Sequence, residues 1–563
     1  MVIFPDSSKS YAETEKYFMV ISPSTAVKNM SPGWNLGNTL DAIPTEGSWN
    51  NPPVEEYIFD DIKNSGFKSV RIPVTWTNHI GPAPDYKIDP KWMDRVEQVV
   101  DWALERDLYV MLNVHHDSWM WMSVMTVDPQ TGRYVNDYDN YIVKFEKLWE
   151  QIAERFKGKS EKLMLEILNE PNNGQWEAKL EKPKNPQKPG VMHDLTPKQM
   201  NDTNRRILKI IRSSGGYNDK RLVVVCGLGN NSEETLKSFE APHDKYIILT
   251  VHYYSPWDFI SNWWGKTTWG TTKEKEDADR IFKQLYEKFV KNDLPIVVGE
   301  WGTLAKGDSL SRWYYHDYIA KTAYKYGMTC MWWDNGEHFD RKNRVWRDEI
   351  IKDISVNAGL GIPNSFVIPT DNYFPINTNV CDLKVKLELN GNQLVGIYNG
   401  EYNLINGVDY TLDTKHSTVT IKQNYLKKLL ASGKLGVVAT LKFDFSKGID
   451  LPMQIIQYDL PKFAEDSITV DKSKGEIKSD MRILVSFNGT KLATVKVVDE
   501  TNKKPVMEKH TPYLKMNDHF DYGDTTIILK KGLLNALKSD SLLTFEFWPK
   551  DVKIEIKANV LTK

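Results

Sequence analysis

Short apolar runs recur through the first part of the chain, separated by longer stretches in which apolar positions return every three or four residues. The runs are GWNLGNT (33–39), SVRIPVTW (69–76), YVMLNVHH (109–116), LMLEILNE (163–170), RLVVVCG (221–227), YIILTVHYY (246–254), PIVVGEW (295–301) and TCMWWDNG (329–336). Most finish in polar residues, as a strand does when both its faces are covered and its C-terminal end opens to solvent. Between them, Asp89 to Asp107 sets Trp92, Met93, Val96, Val99, Val100, Ala103 and Leu104 at helical spacing behind an Asp-Pro start. Asn140 to Phe156 and Ser309 to Tyr326 read the same way. Eight strands alternating with helices predict an α/β fold, a (β/α)₈ TIM barrel over residues 1–360. A doubly wound sheet is the competing topology.

After Pro363 the texture changes. A Pro/Asn-rich connector, IPNSFVIPTDNYFPIN, leads into alternating strands with turn signals: LKVKLELNGNQLVGIYNG, YTLDTKHSTVTI and ATLKFDF. A second connector near Tyr458 to Phe463 precedes SITVDKSKGEI, RILVSFNGTKLATVKVV, TTIILKKGLLNAL and LLTFEFWPKDVKIEI. Two all-β immunoglobulin-like sandwich modules are expected, over 364–460 and 461–563.

Composition narrows the function. A chain of 563 residues is too long for one hydrophobic core, and 40% hydrophobic with 26% charged residues is a globular balance. A formal net charge of −2 lacks the basic face that nucleic acid requires. No apolar run approaches the roughly 18 residues of a membrane span. Cys226, Cys330 and Cys381 have no paired spacing, so neither a disulfide framework nor a zinc site is expected. Met1 to Tyr17 shows no basic-then-apolar signal pattern. Of 19 tryptophans, all but Trp548 fall in the first 346 residues, more than a core needs and suited to stacking on sugar rings.

In a parallel barrel the strand C-termini converge on one face. Read in order, they supply Asn35 and Asn38, Arg71, His115 with His116, Asn169 with Glu170, Cys226 with Gly227, His252 with Tyr254, Glu300, and Trp333. A single glutamate at a strand end is commonly a cap or an ion-pair partner, and Arg71 could simply neutralise buried acid. Two glutamates on the fourth and seventh strands, brought together by the barrel, point instead to glycoside hydrolysis. The His115-His116-Asp117 run suggests a metal, but alternation along a strand would turn the two imidazoles to opposite faces, so no metal site is expected. The WGKT at Trp264 to Thr267 lacks a Gly-rich phosphate loop and follows no strand.

Leu168-Asn169-Glu170-Pro171 resembles the Asn-Glu-Pro signature on the fourth strand of glycoside hydrolase family 5. The similarity extends to GWNLGNTLDA (33–42), Arg71 in RIPV, His115, His252-Tyr253-Tyr254, Gly299-Glu300-Trp301-Gly302 and Trp333-Asp334-Asn335. The opening GWNLGNTLDA is similar to the subfamily rich in endoglucanases, xyloglucanases and lichenases. The later segments resemble, by texture and order, an immunoglobulin-like module and a carbohydrate-binding module of family 46.

The resemblance implies a retaining endo-β-1,4-glucanase without cofactor, with Glu170 as acid/base and Glu300 as nucleophile. Arg71 and Tyr254 would orient Glu300 and lower its pKa, while Glu170 would have a raised pKa. Asn169 would bind the substrate 2-hydroxyl, His115, His116, His252 and Asn38 would contact substrate or orient groups, and Trp333 would stack beneath the sugar. Trp49, Trp119, Trp121, Trp176, Trp257, Trp263, Trp264 and Trp269 divide between core and cleft. In the last module Tyr513, Phe520, Tyr522 and Trp548 either form a glucan platform or fill its sandwich, and the module is expected to fold back on the barrel. The substrate would be cellulose, lichenan or xyloglucan, the protein a secreted monomer. The alternatives are a β-mannanase or xylanase on the same barrel, and a non-catalytic carbohydrate-binding protein.

Overall fold

The computed structural model describes residues 18–122, 126–127, 134–135, 138–171 and 195–562. Trp176 and the side chain of Trp119 lie outside the described residues. Eight parallel strands form a closed barrel: β1 (Gly33–Asn35), β2 (Ser69–Ile72), β3 (Tyr109–Asn113), β4 (Leu163–Glu166), β5 (Val223–Asn231), β6 (Ile247–Tyr253), β7 (Ile296–Trp301) and β8 (Thr329–Trp332). β1 closes it by pairing with β8 on one side, Gly33 to Met331 and Trp34 to Trp332, and with β2 on the other. That closure excludes the doubly wound sheet.

The expected helices form, with small shifts at their ends. The first runs Pro90–Glu105 because the Asp89 carboxylate accepts a hydrogen bond from the Lys91 amide (3.0 Å) and proline occupies the first turn, where it loses no backbone bond. Trp92, Met93, Val96, Val99, Val100 and Ala103 are buried on its inner face. The other two span Tyr138–Phe156 and Ser309–Lys325, the latter capped by Asp308. Inside the barrel, Met111, Met164, Val224, Ile248, Val297 and Met331 pack on Ala26 and Val27 of the short helix Pro23–Asn29 and on Met30, which caps it. This apolar plug closes the N-terminal end, so the polar residues gather at the other end.

Two pairs of sheets follow. The first pair has four strands (Phe366–Ile368, Leu383–Glu388, Thr418–Ile421, Tyr410–Asp413) and five (Asp371–Pro375, Leu451–Tyr458, Gly436–Phe445, Leu394–Asn399, Tyr402–Asn403). Its core runs into that of the barrel, where the rings of Tyr314 and Phe366 are 4.4 Å apart. The second pair has two four-stranded sheets around a separate core of Val495, Leu514, Phe520, Leu529, Phe545 and others. In the segment TTIILKKGLLNAL only Thr526–Leu529 is strand; Lys531–Ala536 turns helical to bury Leu533 and Leu534.

This last unit packs on the barrel. Asn262 donates to the Ala493 carbonyl (3.2 Å), Lys491 to the Gly307 carbonyl (2.7 Å), and Lys306 to Asp521 and to the Tyr522 carbonyl (2.6 and 2.7 Å). Of the aromatics weighed between a glucan platform and the sandwich core, three make this seam or fill the core. Phe520 is fully buried, Tyr522 lies under Lys306, and Tyr513 presses on the barrel backbone so closely that a Cβ on Gly265 would sit 2.5 Å from its ring.

Candidate active site

Arg71 lies on the inner face of β2 and is completely buried. Its five N–H donors are all used. Nε and Nη2 donate to the two carboxylate oxygens of Glu166 (2.7 and 3.1 Å), Nη2 also to Asn169 Oδ1 (2.8 Å), and Nη1 to Asn35 Oδ1 (3.1 Å) and Glu300 Oε1 (2.6 Å). The guanidinium thus ties together the ends of β1, β4 and β7. Burial disfavours its charge, but Glu166 and Glu300 outweigh that and hold the cation above its ordinary pKa.

Glu300 sits in β7 and is buried. Its second oxygen accepts a hydrogen bond from the Tyr254 hydroxyl (3.1 Å). The glycine before it is required by space, since a Cβ on Gly299 would come within 2.6 Å of Thr250 Oγ1 and 3.3 Å of His252 Nε2. Burial raises its pKa and Glu170 adds to that; Arg71 pulls it down as expected, but not enough to reverse the direction.

Glu170 follows β4 with φ of 37°, in the left-handed region that a non-glycine residue occupies at a cost of about 1–3 kcal/mol. Asn230, from β5, holds it there by accepting a hydrogen bond from its amide (2.7 Å). His252 Nδ1 is 2.8 Å from Glu170 Oε1 and 3.6 Å from Glu300 Oε2. Burial pushes the Glu170 carboxyl up to about 7, as expected, against the pull of Arg71. Burial also pushes His252 down to about 4, so the imidazole is neutral near pH 7. An oxygen of Glu170, a ring nitrogen of His252 and an oxygen of Glu300 all lie within 4.8 Å of one another.

Around this centre, Trp333 stacks parallel to His115 at 5.6 Å with only 6° between the planes. Gly37 makes room for it, since a Cβ there would meet the indole at 2.9 Å. Asn113 donates to His115 Nδ1 (3.1 Å), and burial keeps this imidazole well below its ordinary pKa. The opposite facing of His115 and His116 is corrected. β3 ends at Asn113, alternation stops there, and the two rings approach to 4.4 Å with Asp41 beside them. Trp49, 5.4 Å from His116, is partly exposed, and Asn38 turns in a left-handed conformation (φ 54°) to donate to Asn50 (2.9 Å).

A cleft of about 1,130 Å³ opens over these groups. It is lined by His115, His116, Asn169, Glu170, His252, Tyr254, Glu300 and Trp333, by Trp257, and by Lys515 to Asp518 of the last module. Trp121 and Trp269 are buried, whereas Trp257 and Trp264 are exposed. A second cavity of about 870 Å³ lies at the junction of barrel, first sandwich and last module, and shares Asn335, Glu337, His338 and Asn517 with the cleft. Trp548 lines neither. It stands on the face of its strand opposite the buried Phe545 and Phe547, as alternation predicts, with Lys550 over its ring at 5.3 Å.

Residues 32–339 match the Cellulase (glycosyl hydrolase family 5) family, more than half of the chain. The chain belongs to glycosyl hydrolase family 5. Residues 367–455 match Carbohydrate binding domain X2, so this carbohydrate-binding likeness falls on the first sandwich, expected from the sequence to be immunoglobulin-like. Over 550 residues the chain is 32% identical to Endoglucanase B of Paenibacillus lautus, covering 93% of this chain and 90% of that one. Among solved structures it is similar to a tri-modular endo-β-1,4-glucanase of subfamily 4 from Bacillus licheniformis, at 49% identity and a TM-score of 0.86, covering 96% of this chain and all of the other. That protein is also known complexed with cellotetraose. The tri-modular endo-β-1,4-glucanase B from Bacillus halodurans is 30% identical with a TM-score of 0.81, covering 95% and 97% of the two chains.

In this family 5 barrel the residue that reading the sequence missed is Glu166. It lies in the run LMLEILNE, four positions before Glu170, within an otherwise apolar strand. A charge in such a run is itself the signal, because a buried carboxylate needs a buried partner. Asn230 escaped notice because β5 extends past Gly227, where it was expected to end.

Proposed function

We propose that this family 5 protein is a retaining endo-β-1,4-glucanase in which Glu300 is the nucleophile and Glu170 the acid/base. The observation that carries this is the approach of an oxygen of each carboxyl to within 4.8 Å. Retaining glycosidases have carboxyls about 5–5.5 Å apart, and inverting ones about 6.5–9.5 Å to admit a water. Glu300 attacks the anomeric carbon, forming a glycosyl ester as the bond to the leaving oxygen breaks, and Glu170 gives that oxygen its proton. Glu170, now a carboxylate, takes a proton from water, whose oxygen attacks the anomeric carbon and returns Glu300 to the carboxylate form.

The environments fit these roles. A carboxyl with pKa about 7 keeps a substantial share of its proton at neutral pH, where an ordinary glutamate has lost nearly all of it. Once Glu300 is esterified its charge is gone, so Glu170 loses its proton more readily as its task changes. Asn169, held by Arg71, is directed to the 2-hydroxyl, and Trp333 to the face of the sugar at the cleaved bond. His115, His116, Asn38 and Trp49 extend contacts along the cleft. Product stereochemistry tests the assignment: proton NMR of early hydrolysis should show the β-anomer first. Initial α-anomer would refute retention.

We further propose three units, 1–360, 364–460 and 461–563, with the last an extension of the cleft resembling a family 46 carbohydrate-binding module. Lys515 to Asp518 on the cleft wall and the adjoining junction cavity support substrates beyond plain cellulose, namely mixed-linkage β-glucan and xyloglucan. A polymeric substrate implies action outside the cell, and we propose that the protein acts there as a monomer. Parallel assays on carboxymethylcellulose, lichenan, xyloglucan, mannan and xylan test the preference, and superior rates on mannan or xylan would overturn it.

A further inference from the structure

Glu166 is a third carboxylate in the catalytic centre, set below the two assigned to chemistry. Both of its oxygens accept hydrogen bonds from Arg71 in an ion pair whose two side chains are completely shielded from solvent. Arg71 therefore serves two anions unequally: a two-pronged contact to Glu166 and a single bond to Glu300. A bidentate guanidinium–carboxylate pair is the stronger and more rigid arrangement.

We propose that Glu166 is a positioning residue that acts through Arg71, as the permanent counter-charge that keeps this cation from over-stabilising the Glu300 carboxylate. This rests on the assignment of Glu300 as nucleophile. A carboxylate gripped by an otherwise uncompensated guanidinium is a poor nucleophile, because forming the ester abolishes the charge that the cation was holding. With Glu166 in place, Arg71 keeps a full negative partner before, during and after the life of the glycosyl-enzyme. Its Nη1 then only orients the Glu300 oxygen. Two-pronged anchoring also fixes the plane in which Nη2 presents Asn169 and Nη1 presents Asn35 and Glu300.

The charged and titratable groups facing Glu300 are Arg71 from β2, His252 and Tyr254 at the end of β6, and Glu170 after β4. Those near Glu166 are Arg71, Cys226 in β5 and His252. Of these only Arg71 is a cation near neutral pH, so removal of the Glu166 charge falls on the balance between Arg71 and the catalytic carboxyls.

The test is the pH profile of kcat/KM of Glu166→Gln on an aryl cellobioside. Without the negative charge Arg71 acts undivided on the catalytic carboxyls, which then ionise more readily, so both limbs should move to lower pH by about one unit. The rate at the optimum should fall about tenfold or more, with formation of the glycosyl-enzyme slowed. Glu166→Asp keeps the charge one methylene farther off and should shift the limbs the same way by less; it decides the matter should Glu166→Gln not fold. Limbs that stay in place in a folded variant overturn the proposal, since a purely structural role lowers the active fraction without moving a profile. Full activity in Glu300→Gln would instead overturn the nucleophile assignment beneath it.

Discussion

His252 Nδ1 lies 2.8 Å from Oε1 of Glu170, and the imidazole is neutral because burial holds its pKa near 4. A neutral ring gives the carboxyl a hydrogen-bond partner without the charge that would strip its proton. Glu170 can therefore remain an acid with a pKa of about 7.

Activity should consequently decline on the alkaline side. Glu170 must carry a proton to serve the leaving oxygen, so kcat/KM is expected to fall as pH rises through about 7. Below that pH the proton is retained and this limb is flat. The profile of Glu170→Gln on a substrate with an activated leaving group should lack the alkaline limb; a limb unchanged there would assign it to another residue.

Removing the nucleophile should be chemically reversible. Glu300→Gly is expected to lose several orders of magnitude in turnover, and azide should restore activity while giving a glycosyl azide of inverted configuration. Azide that restores nothing in a correctly folded variant would count against Glu300.

Arg71→Met should be judged by unfolding as well as by rate. It leaves Glu166 and Glu300 buried without their cation, and breaking a buried ion pair from one side costs about 3–5 kcal/mol. Calorimetry should show a clear drop in Tm at pH 7; a change of less than a degree would mean that the pair is solvated.

Gly37→Ala separates positioning from stability. The added methyl would start 2.9 Å from the Trp333 indole, which must tilt out of its stack with His115. The expected result is a fall in kcat/KM of about tenfold with a stability change of about 1–3 kcal/mol. Unchanged kinetics would remove Trp333 from the sugar site.

The last module should matter most for large substrates. Deleting residues after about 460 removes Lys515 to Asp518 from the cleft wall and the Asn517–Glu337 hydrogen bond (3.0 Å). Activity on xyloglucan or lichenan should fall more than activity on short cello-oligosaccharides. Equal losses would leave this module a purely structural role.

The barrel was legible in the sequence because buried parallel strands are apolar on both faces and end in polar residues, a local pattern that needs no knowledge of the fold. The alternation of Glu170 and Glu300 between fourth and seventh strands was legible for the same reason: strand ends in a closed barrel must converge. Three things were decided only by tertiary structure. Which anion Arg71 grips with both arms depends on packing in the barrel floor, where Glu166 competes with Glu300. The upward shift of the Glu300 pKa depends on how completely water is removed, which no linear spacing reveals. The turning of Tyr513 and Tyr522 from platform to seam depends on where a distant module comes to rest. Periodicity is a property of neighbours along the chain; charge balance and burial belong to neighbours in space.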